Sequence, residues 1–357
     1  MILITGAGGF LGTTLTRVFV EAGHRVRAAD LVPPSTQGAA EAVELDVTRP
    51  ETVRTAMEGV VVVVHAAGIF DLSCSEQALR AVNVEGAATV ARCAAEEGVE
   101  RFVMVSSTSV YGRGTAQVPE GGDKRPAHAY DRSKWEGEEA TREICETAGL
   151  SWAAIRPTLI YGPGGRYGFA PALAMFALRS HLGRQALPFA AGGPVGHHVH
   201  VEDVACAALF LVENPAGTGA FNVADDNPIQ TGELMRLICG AVGVRVLDWG
   251  LPWFVASLFG LIKPMARWYL DRLNPKLVGV WGKIVRELDL VPALSPRLDV
   301  DWIDYIIQDH SYDNSRLKAL GFRYRYPDLG AAFGPTVDWY RQMRWLPPGS
   351  APQAADQ

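Results

Sequence analysis

Thr5-Gly6-Ala7-Gly8-Gly9-Phe10-Leu11-Gly12 follows directly on the apolar run Ile2-Leu3-Ile4, and this junction restricts the fold more than any other segment. Residues 2–4 read as a buried strand, and residues 12–22 as a helix with Leu15, Val18 and Phe19 on one face. Gly6 permits a tight strand-to-helix turn. Gly9 lets backbone approach a pyrophosphate with no Cβ in the way, and Gly12 lets helix and strand lie close together. The first N–H groups of such a helix lack partners and would meet the phosphates. An ordinary tight turn would use the same glycines, so the loop needs context.

The next segment supplies it. Arg25-Val26-Arg27-Ala28-Ala29 reads as a second strand ending at Asp30, eighteen residues past Gly12. A carboxylate at that spacing accepts hydrogen bonds from the ribose hydroxyls of an adenosine. It also repels a 2′-phosphate, which predicts NAD over NADP. Arg27 would favour a phosphate, but at odd spacing from Asp30 it points to the opposite face.

Strand and helix patterns alternate to about residue 160, with strand candidates at 2–4, 25–29, 43–45, 60–64, 101–106 and 152–156. That order predicts an α/β fold: a parallel, doubly wound sheet with ligand at the strands' carboxyl ends. Further along, 170–178 reads as an apolar helix, 220–224 as a late strand and 231–242 as a small helix. Tyr130-Asp131-Arg132-Ser133-Lys134 places a phenol and an ammonium four residues apart in a helical pattern, hence on one face. Alone, such a pair usually marks a solvated face. Beside a dinucleotide it can move a proton, and the two motifs together point to nicotinamide-dependent redox chemistry on an alcohol or ketone.

Further segments fall in a fixed order: Leu45-Asp46-Val47, His65-Ala66-Ala67-Gly68, Asn83-Val84-Glu85-Gly86, Ser106-Ser107-Thr108-Ser109-Val110-Tyr111-Gly112, and Arg156-Pro157-Thr158-Leu159-Ile160-Tyr161-Gly162-Pro163-Gly164. With the glycine motif, Asp30 and the Tyr130–Lys134 segment, they make the chain resemble the extended short-chain dehydrogenase/reductases, the NAD-dependent epimerase/dehydratase group, over residues 1–345. The resemblance implies a Rossmann-type NAD-binding core over 1–165, completed by about 198–225. It implies a smaller, mostly helical C-terminal substrate lobe from 166–197 and 226–345. It places Gly6, Gly9, Phe10, Leu11 and Gly12 around the cofactor, with Asp30 on the ribose and Asp46 and Val47 at the adenine. Ala66, Ala67 and Gly68 resemble the loop that passes under the cofactor, Asn83 a helix residue supporting the active site, and Pro157 the loop beside the nicotinamide. A buried amide satisfied by backbone would account for Asn83 equally well. Tyr312–Phe322 resembles a terminal-lobe helix with an Asp or Asn cap and a Gly stop, and a homodimer is the family's expectation.

The proton chemistry follows from residue types. Tyrosine has an unperturbed pKa of about 10 and is a poor base at neutral pH. The Lys134 cation and the positive nicotinamide are expected to favour the phenolate and lower that value. Tyr130 then takes the hydroxyl proton as hydride leaves for NAD+, Lys134 also bonds the nicotinamide ribose, and Ser107 orients the substrate oxygen. Ser107 is chosen over its neighbours Ser106 and Thr108 by its spacing to Val110-Tyr111-Gly112. Tyr111 and Tyr161 read as packing residues.

Composition agrees. A chain of 357 residues, 48% hydrophobic, has enough apolar content for one large domain or two lobes. A net charge of −6 with no basic run argues against nucleic acid. Cysteines 74, 93, 145, 206 and 239 are scattered without a C-x-x-C pair, as expected for reduced thiols rather than disulfides or zinc. His197, His198 and His200 lack a convergent carboxylate or cysteine, so no metal is expected. The first strand begins at once, so no signal peptide is expected and the reading is cytoplasmic. Residues 346–357 read as a disordered tail.

Four of the nine tryptophans fall in 249–281, which sets this segment apart from the family pattern. Its longest uncharged run, 249–262, is shorter than the about 20 residues a membrane span needs. It is followed by Lys263, Arg267, Arg272 and Lys276. Three readings stand: an apolar lid over an oily pocket, an amphipathic patch resting on a membrane, or ordinary core or a dimer face.

The substrate class follows from two departures. Nucleotide-sugar enzymes of the group carry Arg-x-Phe-Asn before the Tyr-Gly-Pro corner, and Arg-Asp before the Val-Asp-Asp-Val segment. This chain has Arg156-Pro157-Thr158-Leu159-Ile160 and Gly196-His197-His198 there, without the groups that would grip a pyrophosphate. The form looks more like the 3β-hydroxysteroid dehydrogenase branch. It implies NAD-dependent oxidation of a hydrophobic secondary alcohol or reduction of its ketone: a sterol, steroid or long-chain 3-hydroxy or 3-keto compound. The alternatives are a nucleotide-sugar epimerase or dehydratase and a non-catalytic NAD-binding scaffold.

Overall fold

The computed structural model describes residues 1–35, 38–70, 74–248, 263–297 and 307–348, the first four of helix 263–287 by backbone alone. Its chain divides into two compact units: Met1–Thr158 with Val199–Asp226 and Tyr312–Arg325, and Leu159–His198 with Asn227–Ser311 and Tyr326–Gln357.

The first unit is built on a parallel seven-stranded sheet of β1 (Ile2–Thr5), β2 (Val26–Asp30), β3 (Glu41–Glu44), β4 (Val62–His65), β5 (Arg101–Val105), β6 (Ser151–Pro157) and β7 (Gly219–Val223), in the order β3-β2-β1-β4-β5-β6-β7. Leu3, Ile4, Val63, Val64, Phe102 and Val103 are fully buried, as near-continuous apolar strands must be when both sheet faces are covered. The covering helices are α1 (Phe10–Glu21), α2 (Pro50–Met57), α3 (Ala87–Glu96), α4 (Ala129–Ala148) and α5 (Val201–Glu213). Helices α1 and α5 lie together, while α3 contacts both α2 and α4. This is the Rossmann-type doubly wound sheet.

Strand order reverses between β1 and β4, whose registers run Ile2↔Val62 to Thr5↔His65. A crevice for ligand forms at such a switch point, outside the strands' carboxyl ends. Thr5 Oγ1 and His65 Nδ1 are 2.8 Å apart across it. Gly6, with φ +70°, turns the chain into α1, which starts at Phe10, two residues before the expected position.

The second unit centres on the helix Phe169–His181, whose Leu173, Ala174 and Ala177 are buried in a cluster with Trp281, Phe333 and Tyr340. Trp281 Nε1 donates to the Leu294 carbonyl at 2.9 Å, and Tyr340 Oη to the Gly165 carbonyl at 2.8 Å, satisfying polar atoms inside an apolar cluster. Ala186–Phe189 pairs in parallel with Arg245–Asp248. No helix among the described residues is long and apolar enough to cross a membrane.

Two boundaries differ from expectation. Tyr312–Arg325 belongs to the first unit instead of a terminal lobe. Asn314 Nδ2 bonds the Ala224 and Asp225 carbonyls, and Arg316 bonds those of Thr218 and Ala220, so the segment is tied around β7. The first unit also ends at Thr158, and the second begins at Leu159. In the segment expected as a tail, Leu346 is buried, and 349–357 lies outside the described residues.

Candidate active site

The glycine loop is shaped by close approach. A Cβ on Gly6 would lie 2.7 Å from Ala67 N and Cα, so the loop Ala66-Ala67-Gly68 can sit directly on the turn. Ala66 N donates to the Thr5 carbonyl at 3.2 Å and Ala67 N to Thr5 Oγ1 at 3.2 Å. Gly12 holds α1 to the turn: its Cβ would run into the Gly6 carbonyl oxygen and lie 2.7 Å from Ala7 Cα. Gly8 and Gly9 are exposed, Phe10 and Leu11 half-buried, and no side chain caps the helix at Gly9. The first N–H groups of α1 thus carry the partial positive charge that favours phosphate.

Asp30 closes this loop from the end of β2. Its Oδ2 accepts from Gly8 N at 2.8 Å and its Oδ1 from Leu31 N at 2.7 Å. Gly8 escaped the sequence reading, although it lies inside the motif. Arg27 is engaged elsewhere, with Glu41 at 2.6 Å and the Ala56 and Glu58 carbonyls at 2.7 Å each. Replacing Asp30 by Ala should weaken NAD binding by ~10- to 100-fold, the loss of one or two charge-assisted hydrogen bonds, and narrow the NAD-to-NADP preference. Calorimetric titration with both cofactors checks this; an unchanged ratio of affinities would remove Asp30 from the ribose.

Asp46 and Val47 follow β3. Asp46 Oδ1 accepts from Thr48 N at 2.9 Å and Thr48 Oγ1 at 2.7 Å, an Asx turn. Val47 is 6% exposed, with Cγ2 2.6 Å from where a Cβ on Gly86 would stand. Most of Val47 is therefore core.

The proton-handling residues converge at the ends of β4 and β5 and on α4. Ser107 Oγ accepts from Ser109 N at 3.1 Å and is hydrogen-bonded to the Tyr130 hydroxyl. Lys134 Nζ donates to the Val105 carbonyl at 2.7 Å. Asn83, on a π-helical turn Ala81–Gly86, holds the loop in place: Oδ1 accepts from Ile69 N at 2.8 Å, and Nδ2 donates to the Ile69 carbonyl at 3.1 Å and Ser133 Oγ at 3.0 Å. Gly68 lies between Asn83 and Lys134, since its Cβ would stand 3.1 Å from Asn83 Oδ1 and 3.9 Å from Lys134 Nζ. Gly137 on α4 faces the Asn83 carbonyl with no room for a Cβ. Pro157 ends β6, its carbonyl 3.3 Å from Thr108 Oγ1. Structure therefore links Ser107 with Tyr130, and Gly6, Ala66, Ala67, Gly68, Asn83 and Lys134 with one another. Asp46 is bonded instead to Thr48 and Thr52, and Val47 belongs to the apolar cluster against which Ala67 packs.

Burial adds a cost that the sequence does not show. Burial pushes the Tyr130 phenol above its ordinary range, opposed by the hydrogen bond from Ser107, while the Asp131 charge adds to the rise. Burial pushes Lys134 down to about 8, opposed by the Glu138 carboxylate. Both groups are 7–8% exposed, and desolvation is the largest influence on each in the chain alone. At neutral pH the pair rests as phenol and ammonium.

His65 and His198, 1% and 5% exposed, are each pushed down to about 3 by burial. A depressed folded-state value means stability is lost as pH falls from the unfolded value, about 6.5, toward 3. Each should remove ~1.4 kcal/mol per pH unit in that window. His200, pushed down to about 4 by burial, contributes in the same window. Urea unfolding at pH 7.5 and 5 measures the slope, and His65→Asn should remove about a third of the histidine part. An identical slope would mean that His65 accepts its proton in the folded chain.

A parallel sheet with a glycine-turned helix at its switch point, and a Ser–Tyr–Lys set at the neighbouring strand ends, defines a dinucleotide-dependent oxidoreductase class. Residues 2–224 match the family model described as NAD dependent epimerase/dehydratase family. The chain belongs to that family: it is an NAD-dependent enzyme of the extended short-chain dehydrogenase/reductase type. It is 30% identical to a 2-alkyl-3-oxoalkanoate reductase of Stenotrophomonas maltophilia, over 73% of this chain and 81% of the relative. It is 29% identical to a 3 beta-hydroxysteroid dehydrogenase/Delta 5-->4-isomerase of Mycobacterium tuberculosis, over 68% and 70%. It is 24% identical to a UDP-glucose 4-epimerase of Vibrio cholerae, over 72% and 81%. Among solved structures, MoeE5 in complex with UDP-glucose and NAD shares the fold, with TM-score 0.68 and 20% identity over 96% of this chain and 98% of that one.

Proposed function

We propose that the protein transfers hydride between a hydrophobic secondary alcohol, or its ketone, and NAD, with Tyr130 as acid–base residue. The observation that carries this reading is the buried set of Ser107, Tyr130 and Lys134: a hydroxyl bonded to a phenol, and an ammonium anchored on the Val105 carbonyl. NAD supplies the hydride acceptor and a positive charge beside the phenol. Gly6, Gly9 and Gly12 leave the room for its phosphates, Asp30 would hold its adenosine ribose, and Lys134 its nicotinamide ribose. Ser107 would orient the substrate oxygen. For oxidation Tyr130 would first lose its own proton to solvent, favoured by the positive nicotinamide and the Lys134 ammonium, and as phenolate take the hydroxyl proton; in reduction the phenol would give its proton to the ketone oxygen.

Two observations support an apolar substrate. The 30% and 29% identities are to an oxoalkanoate reductase and a hydroxysteroid dehydrogenase, and both names describe a hydroxyl or keto group on a largely hydrocarbon frame. At 197–198, where a nucleotide-sugar enzyme would offer an arginine, His198 is neutral and lies 4.9 Å, ring to ring, from Phe169. Such a residue offers a pyrophosphate no charge. The second reading, nucleotide-sugar epimerisation, draws on the relative at 24% identity.

A panel of hydroxysteroids, sterols and long-chain 3-hydroxy acids, assayed at the NADH absorbance band with UDP-glucose alongside, tests the substrate class. NADH from an apolar alcohol supports the proposal. Epimerised sugar without net NADH overturns the substrate class while leaving the proton relay in place. The segment 249–281 enters the same reading as a membrane-facing patch. Its described part exposes Trp268 and Tyr269, with the Arg272 guanidinium 3.8 Å from the Trp268 ring centre, the mix found on interfacial helices. Its first part, 249–262, lies outside the described residues. Sedimentation with anionic vesicles, lost in Trp268→Ser/Tyr269→Ser, tests that contact, and a wild-type chain that stays in the supernatant would refute it.

A further inference from the structure

Helix α4 carries a buried carboxylate that the relay does not use. Glu138 lies one turn past Lys134 on the same side of the helix and is 2% exposed. Its Oε2 accepts from Ser106 Oγ at 2.5 Å and from Arg156 Nε at 3.0 Å, and its Oε1 from Arg156 Nη2. Arg156, 3% exposed, also donates to Tyr111 Oη at 2.6 Å and to the Glu120 carbonyl at 3.0 Å. Tyr111 Oη in turn donates to Asn222 Oδ1 at 2.7 Å.

The partners of Glu138 are adjacent to the relay at each point. Ser106 lies between Val105, whose carbonyl receives Lys134, and Ser107, which bonds Tyr130. Arg156 precedes Pro157 at the end of β6. One carboxylate thus joins the helix bearing Tyr130 and Lys134 to both strand ends beneath them. An apolar cluster of equal volume would hold three elements together as well, without the several kcal/mol of desolvation that each buried ion costs. What it would lack is a negative charge beside a buried ammonium.

Resting on the reading of Lys134 as part of the relay, we propose that Glu138 is a positioning residue: it fixes the end of β5 against α4, and its charge holds Lys134 in the ammonium form. The direction of its effect agrees, since burial favours the neutral amine and Glu138 opposes it. The other ionisable groups around Lys134 do not replace it. Tyr130 is a neutral phenol, and His65, at the end of β4, is neutral through burial. Asp131, on α4, turns its Oδ2 to the backbone N–H groups of Ala127 and His128, at 3.3 and 3.0 Å. Arg156 and Tyr111 belong to the shell of Glu138.

The chain has six lysines, so selective Cε/Nζ isotope labelling and NMR can follow Lys134 by itself, assigned through Lys134→Met. In Glu138→Gln the Lys134 titration midpoint should fall by about one unit, a tenfold smaller ammonium fraction above it. Arg156→Gln, which leaves the carboxylate without its guanidinium, should move the midpoint the other way. A merely structural tie would lower the melting temperature in both variants without opposite shifts. The double variant Glu138→Gln/Arg156→Gln, which leaves neither partner of the ion pair charged, serves where the single one does not fold, and its midpoint should lie below that of Arg156→Gln, from which it differs only by the carboxylate. A midpoint in Glu138→Gln equal to the parent's, or in the double variant equal to that of Arg156→Gln, overturns the proposal. The titration needs no substrate, so that result would leave the relay itself to be judged by the Tyr130 and Lys134 variants.

Discussion

Tyr130→Phe should lower the rate of hydride transfer by ~10²- to 10⁴-fold, the usual contribution of a positioned general acid–base group, while leaving NAD affinity close to that of the parent. The substitution removes one oxygen and keeps the ring, which meets Phe70 edge-to-face at a centroid distance of 5.0 Å. Ser107 Oγ, with its Ser109 N–H intact at 3.1 Å, loses only its bond to the phenol. Lys134→Met should lose turnover to a similar degree, and should also weaken NAD binding, since its ammonium would hold the nicotinamide ribose. The split distinguishes the two roles: Tyr130 acts on the rate, Lys134 on rate and affinity. Stopped-flow NADH absorbance for the rate and protein-fluorescence quenching for affinity would measure both. Normal turnover in either variant would end the proposed mechanism.

The second large effect is steric. Gly12→Ala should cost ~3 kcal/mol or more of stability, at or above the upper end of ordinary overpacking. The added methyl meets the Gly6 carbonyl and Ala7 Cα, which are backbone atoms of the turn and have no rotamer to give. If the chain still folds, α1 must move away from β1, carrying its N–H groups off the phosphate position. NAD affinity should then fall along with the urea midpoint. Gly9→Ala provides the contrast. Its Cβ would meet only the Gly6 carbonyl, at 3.3 Å, so it should spare stability and reduce cofactor affinity. Equal stability of Gly12→Ala and the parent would mean that helix and strand are not held together as described.

These positions show why part of the site is legible in the sequence. Gly6, Gly12 and Asp30 owe their roles to local geometry along one strand–turn–helix–strand path, and spacing records that geometry. The inner strands β1, β4 and β5 read correctly to within about two residues because both sheet faces are covered there, and that makes them near-continuous apolar runs. The burial that raises the Tyr130 phenol in the chain alone is not legible, because it comes from elements distant in sequence. Glu138 was invisible for a related reason. It stands among Glu136, Glu139, Glu143 and Glu146, and nothing in such a run marks the one that turns inward to Arg156. Tyr312–Arg325 was misassigned because its partners, β7 and the chain just after it, precede it by about ninety residues.

The most direct test of the account is the transfer of deuterium from a carbinol carbon. The purified chain would be incubated with NAD+ and 3-deuterated hydroxysteroids and 3-hydroxy acids, and the NAD pool read by mass spectrometry. The parent chain should yield deuterated NADH, with a loss of ~10²-fold or more in Tyr130→Phe. Bound NAD with no label transferred from any apolar alcohol, under conditions where the chain is folded, would contradict it.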